Sequence, residues 1–273
     1  HLRSGNCVVA QAEFKAAFEI DPTNGLAAMK AGQCLWQINQ TAESIVWLRK
    51  AIATDAAILP AYVLLSDFLS QRYEYSAAIE VLNKASQKVA NNHEILRGFG
   101  LVELRRNNLK DAIGFLNRAN KLFENDIETL ILLARAYLSD GNFSEAQKSA
   151  VRAIEIDSTN VEAQVVYAQV LTQFQGVDAG ILYLRELIKK YSYTIQYRMA
   201  LGDILREQER ASQAQQIYQQ ILQIEPKNKN ALIGLGRSYQ AQGIFDKAIK
   251  NFLTASIYDP SDTEGLMRAG VLY

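Results

Sequence analysis

Histidine, cysteine and proline are all scarce in this chain. Its 273 residues include two histidines (His1 and His93), two cysteines (Cys7 and Cys34) and four prolines. Structural zinc sites and disulfide frameworks need such ligands in clusters, so neither is encoded, and no metal or cofactor is implied. Charge of one sign in excess is also missing: 29 basic residues face 29 acidic ones. A nucleic-acid binder ordinarily carries a basic surplus or stripe, and an anionic membrane surface calls for the same, so both partner classes are disfavoured. No apolar run approaches the about 20 residues that cross a bilayer. Patterns of the type HExxH, GxSxG, Walker A or GxGxxG do not occur, and an active centre needs a converging nucleophile, base and electrostatic group. Catalysis within these residues is not expected.

What the chain has is helical periodicity and enough apolar residues, 49%, to bury a sizeable core. The clearest stretch is 229–262. Leu232, Leu235, Gly236 and Tyr239 fall on one stripe of a first helix, and Ala248, Phe252 and Ala255 on one stripe of a second. Gly243 lies between them, where a tight turn favours a residue without Cβ, and Pro260 stops the second helix. This order of large, Gly, aromatic, then Ala, aromatic, Ala and Pro resembles the tetratricopeptide repeat, whose period is about 34 residues.

Stepping by that period, the same pattern recurs in frames 25–58, 59–92, 93–126, 127–160, 161–194 and 195–228 with no insertion or deletion. Small residues hold one place of the first helix (Gly32, Gly100, Ala134, Ala168, Gly202, Gly236), where paired helices approach closely. Frame 161–194 departs from the pattern, with Gly180 and Leu187 where Ala is usual. Residues 1–24 read as the later part of a further repeat, with Gly5 at its turn, and 263–273 as the beginning of another. Neither end reads as a polar capping helix, so the array is expected to be an excerpt of a longer one. Loops such as DPTN (21–24), DSTN (157–160) and DPSD (259–262) supply helix stoppers followed by N-caps. The fold class expected is all-α: a right-handed superhelical solenoid of stacked antiparallel helix pairs, in one continuous array.

The resemblance implies a concave groove lined by first helices that takes up peptides. The residues it places there lie off the packing stripe. They are Met29, Lys30 and Gln33; Val63, Leu64 and Asp67; Glu94, Arg97 and Leu101; Ile131, Leu132 and Arg135; Val165, Val166 and Gln169; Met199 and Asp203; Ile233 and Arg237; Met267 and Arg268. The family's carboxylate clamp for acidic tails needs a Lys–Asn pair, then an Asn, then a Lys–Arg pair where this chain has Met29 and Gln33, Leu64, then Glu94 and Gly98, so that ligand is disfavoured. So is the asparagine ladder of sugar-transferring relatives. The apolar members form a band (Met29, Leu64, Ile131, Leu132, Val165, Val166, Met199, Ile233, Met267) flanked by Gln33, Asp67, Arg97, Arg135, Gln169, Asp203 and Arg237. Two readings stand. The band is an exposed strip for a peptide with apolar anchors, with charges of alternating sign to orient it, or its aliphatics pack between neighbouring first helices. On the first reading, Val166→Asp or Leu132→Asp abolishes binding and leaves helicity intact.

The expected function is a non-catalytic scaffold that binds a protein or peptide. The alternatives are a self-associating spacer in a larger assembly, and a targeting or regulatory domain of a larger enzyme. Because adjacent helices run antiparallel, Cys7 and Cys34 are expected near each other, either as two buried small hydrophobes or as a disulfide in an oxidising compartment. His93 reads as a solvated helix-start residue. Asn39-Gln40-Thr41 and Asn142-Phe143-Ser144 match a short glycosylation triplet that arises often by chance.

Overall fold

The computed structural model describes residues 4–258 and 263–272, which form sixteen helices and, among the described residues, no strand. The chain divides into two compact units, His1–Gly141 and Asn142–Tyr273. The first holds α1 (Ser4–Ile20), α2 (Gly25–Gln37), α3 (Thr41–Thr54), α4 (Leu59–Gln71), α5 (Tyr75–Lys88), α6 (His93–Arg105), α7 (Leu109–Leu122) and α8 (Ile127–Ser139). The second holds α9 (Phe143–Ile156), α10 (Val161–Phe174), α11 (Val177–Lys190), α12 (Ile195–Glu207), α13 (Ala211–Ile224), α14 (Lys229–Ala241), α15 (Phe245–Tyr258) and α16 (Glu264–Leu272). First helices begin at 25, 59, 93, 127, 161, 195 and 229, so the spacing read from the sequence is the spacing of the elements.

The turn inside each repeat explains why the period is kept. Asn39, Tyr73, Asn107, Gly141, Glu209 and Gly243 recur in this register and all have positive φ, between 58° and 78°. In five of these turns the next residue's N–H reaches back to a carbonyl five positions earlier, as from Gln40 to Leu35 at 2.9 Å and from Ile244 to Tyr239 at 3.0 Å. This left-handed cap satisfies carbonyls that the helix end leaves open. Gly141 and Gly243 adopt it freely. Tyr73 and Glu209 hold it against a Cβ clash of about 1–2 kcal/mol. In the 161–194 frame α10 runs one residue longer, and the positive φ moves to Gly176, at 105°.

Helix starts are capped in alternate repeats. The side chains of Asn24, Asn92, Asn160 and Asn228 accept from the N–H groups of Ala27, Ile95, Ala163 and Ala231. At Ile58, Asp126 and Thr194 no side chain caps the helix. Pro60 sits in the first turn of α4, where its missing N–H costs nothing. Gly5 does not form a turn: α1 already begins at Ser4 and carries it inside the helix. Pro260 and the DPSD loop lie outside the described residues.

Packing rests on the small residues. A Cβ on Gly32, Gly100, Gly202 or Gly236 would stand 2.5–2.9 Å from Leu48, Leu116, Tyr218 or Phe252, the large residue of the partner second helix. Tyr218 is wedged from both sides, since Gly234 of the next first helix lies equally close to its ring. Each hairpin thus seats a bulky side chain on bare backbone, and neighbours cover what it leaves exposed.

Candidate functional site

The first helices form one layer in each unit: α4 touches α6 and α6 touches α8, while α10 touches α12 and α12 touches α14. Along this layer one register position is half-buried in every repeat. It carries Gln33, Asp67, Leu101 and Arg135 in the first unit and Gln169, Asp203 and Arg237 in the second. Packing and turn formation fill the places around it, and its residue type varies freely from repeat to repeat.

The apolar band is not an exposed strip. Met29, Leu132, Val166 and Ile233 are buried, Val166 completely. Met29 belongs to the core with Leu48, Tyr62 and Leu65, Leu132 to a cluster with Leu116, and Ile233 to one with Phe252 and Ala269. The physical reason is the close spacing of first helices, which turns these positions into the seam between repeats. Leu64 and Met199 are half-buried, and Met267 alone of the band stands mostly exposed, at 68%. Val166→Asp therefore reports on folding, contrary to the exposed-strip reading; these four residues follow the other reading, packing between neighbouring first helices.

Flanking charges already hold partners, Asp67, Arg97 and Arg237 in the next repeat and Asp203 within its own, so they do not simply await a ligand. Arg105 of α6 donates to the Asp67 carboxylate at 2.5 Å, to the Asp67 carbonyl at 3.0 Å and to the Ser70 hydroxyl. Arg97 pairs with Asp126 at 2.6 Å and Glu128 at 2.9 Å. Arg237 and Arg268 converge on Glu264 at 2.5 and 2.7 Å. Asp203 accepts from the Tyr218 hydroxyl at 2.8 Å and pairs with Arg206 at 3.6 Å. Burial acts to raise the Glu264 carboxyl, but the hydrogen bonds and charges of Arg268 and Arg237 outweigh it and hold it below the usual carboxylate range. The Tyr218 hydroxyl is pushed up by burial and by the Asp203 charge.

Arg105, Asp126, Glu128 and Glu264 were not among the residues read from the sequence. The usable signal was opposite charge on first helices, or at their N-caps, 27–38 residues apart, close to one repeat. The remaining candidates take structural places. His93 opens α6 with its ring 5.1 Å from that of Phe123. Asn142 caps α9 through its side chain, and Asn39 occupies a left-handed turn.

Sequence models of the tetratricopeptide repeat match residues 1–57, 127–160 and 205–267, which together make up more than half of the chain. The chain belongs to the tetratricopeptide repeat family. Its likeness to solved tetratricopeptide structures shows the same fold. Yeast Tom70 superposes with a TM-score of 0.71 at 16% identity, over 98% of this chain and 59% of that one. A tetratricopeptide repeat protein from Parabacteroides merdae gives 0.66 at 13% identity, over 91% and 98%. Among curated proteins, DnaJ homolog subfamily C member 3 of Gallus gallus is 23% identical over 215 residues, 72% of this chain and 43% of that protein. The chain thus spans less than half the length of that relative. Among the described residues no helix is long and apolar enough to cross a membrane.

Proposed function

We propose that this chain is a non-catalytic scaffold that binds a peptide or partner segment along its first-helix layer, reading it through the half-buried row. The observation that supports this most directly is that row: one position per repeat, partly open to solvent and variable in chemistry. A repeat array built this way presents a line of side chains at regular spacing, which suits an extended segment or one helix face. The row reads Gln33, Asp67, Leu101, Arg135 in the first unit and Gln169, Asp203, Arg237 in the second. Polar matching along it governs specificity, and Leu64 and Met199 beside it offer the apolar anchors. The family membership and the partner-bound settings of its relatives agree with this reading. One solved structure of the same fold is the hetero-tetramer Cut9-Hcn1.

The test is a selection of short peptides from a random display library against the folded chain, with affinities by fluorescence anisotropy. Gln33→Glu should weaken peptides bound to the first unit, and Gln169→Glu those bound to the second, each by about tenfold, equivalent to about 1.4 kcal/mol. Leu182→Lys, on the exposed outer side of α11, should leave them unchanged. The opposite pattern, with peptides sensitive to Leu182 and indifferent to the row, overturns the proposal.

A further inference from the structure

Cys7 and Cys34 are the chain's two cysteines, and the first unit puts them against each other. Cys7 lies near the start of α1 and Cys34 near the end of α2. The two helices run antiparallel about the 21–24 turn, so these far ends meet. The Sγ atoms are 3.1 Å apart, about 1 Å longer than an S–S bond. Both residues are free thiols and fully buried. Burial, then the hydrogen bond and charge of Cys7, push the Cys34 thiol up to about 12. Cys34, while docked, is therefore protonated and unreactive.

We propose that Cys7 and Cys34 form a latent disulfide site that clamps α1 onto α2, closed by thiol–disulfide exchange with a small disulfide such as oxidised glutathione. The reaction needs α1 to lift, because neither sulfur is reachable while it is docked. The first exposed thiol loses its proton and attacks one sulfur of the oxidant. One glutathione thiolate leaves, and a mixed disulfide remains on the chain. Return of α1 brings the second thiol onto that bond. It loses its proton, its sulfur bonds to the first, and the second glutathione thiolate departs. Two cysteine thiols are oxidised, one glutathione disulfide is reduced to two thiols, and the two protons end on those thiols.

The surroundings favour closure. The hydrogen-bond partner that oxidation orphans is the Gln37 side chain, which accepts from Cys7 Sγ at 2.8 Å and is exposed enough for water to replace the donor. Among the described residues, the ion pair and the ring contact of α1 lie toward its opposite end: Lys15 pairs with Glu43 at 2.6 Å, and Phe18 meets the Trp47 ring edge-on at 5.5 Å. A link at Cys7 therefore adds a covalent hold near the start of the helix. It also closes a covalent loop across a sequence separation of 27 residues, which restricts the unfolded chain.

The chain is equilibrated in buffers of mostly reduced or mostly oxidised glutathione, quenched in acid, denatured, alkylated and weighed intact. In reduced buffer it should take up two alkyl groups. In oxidised buffer it should take up none and be lighter by two hydrogens. Cys7→Ala and Cys34→Ala, which keep a small apolar side chain at each site, should instead retain one glutathione. Tryptic cleavage after Lys15 should slow by about tenfold on oxidation in the unmodified chain alone. Two alkylatable thiols persisting at equilibrium in oxidised buffer, glutathione on both cysteines, or a disulfide between chains each overturns the proposal.

Discussion

Gly180→Ala restores the residue that the family pattern favours, and in a helix interior the change ordinarily stabilises by about 0.5–1 kcal/mol. Here it should do the reverse. Gly180 lies in the first turn of α11, facing the end of α10. A Cβ there would stand 2.0 Å from Thr172 Oγ1 and 2.7 Å from the Ala168 carbonyl oxygen. Thr172 could turn away, but its hydroxyl donates to that same carbonyl at 2.9 Å and the residue is buried. A buried hydroxyl left without its partner costs about 1–3 kcal/mol. The carbonyl belongs to the backbone and yields only if α10 and α11 separate, an overpacking strain of about 1–3 kcal/mol. Subtracting the propensity gain from these two costs leaves a net loss of at least about 1 kcal/mol.

The assay is urea unfolding of the whole chain by far-UV circular dichroism, for the unmodified chain, Gly180→Ala, Thr172→Ala and the double variant. The midpoint should fall for Gly180→Ala. Thr172→Ala removes the closer obstruction, so part of the loss, about 1 kcal/mol, should be recovered as coupling in the double variant. A midpoint that rises for Gly180→Ala, or a cycle with no coupling, refutes the claim that this site was shaped around Thr172.

Three further outcomes follow from the same geometry. Glu209 is exposed and holds φ at 58°, so Glu209→Gly should stabilise by about 0.5–1 kcal/mol in the same urea assay, the relief of the left-handed clash exceeding the entropy that glycine loses. Burial, then the neighbouring Tyr167, Tyr197 and Tyr191, raise the Tyr183 hydroxyl from 10.0 to about 12. Because the folded value is the higher one, its contribution is complete below pH 10 and is lost as pH climbs toward 12. Tyr183→Phe should flatten that alkaline fall in a pH series of thermal melts. Glu264 is shifted the other way, below 4.5, so its contribution is present above that value and lost as pH falls through the folded one. Exchange protection in α16, taken relative to the intrinsic amide rate at each pH, should fall on acidification, and Glu264→Gln should be poorly protected at both ends of the series.

The repeat was legible because its signals are steric and local. Gly243 could be read as a turn from its place between two stripes, and its φ of 73° is the reason. Gly236 could be read as a close approach, and Phe252 is what approaches it. The departure at Gly180 was visible as an exception, but its cause was not. That cause lies in Thr172, eight residues earlier, and in a helix one residue longer than its counterparts. The candidate site was only half legible. A valine on a first helix faces either a ligand or the seam with the next repeat, depending on a few degrees of helix rotation. Val166 and Val165 differ by one position in sequence, yet Val166 is buried and Val165 half-open. Nothing in the residue type separates them.

The ion pairs narrow what the row can do. If every row residue were idle until a ligand came, specificity could be spread evenly along it. The Asp67 carboxylate is instead held by Arg105, Asp203 by Tyr218 and Arg206, and Arg237 by Glu264. A ligand reaching these residues must share or displace a partner that also joins one helix to another. Binding there trades against cohesion of the array, and its net strength is small even where the contact is good. Gln33 and Gln169 are placed differently. No salt bridge holds a neutral amide, and each offers a donor and an acceptor to an incoming backbone. Gln33 accepts one bond, from Lys30 on its own helix at 3.2 Å, which joins no second element. In each unit, then, discrimination among ligands should concentrate at the glutamine, with the charged members fixing the spacing of the helices that present it.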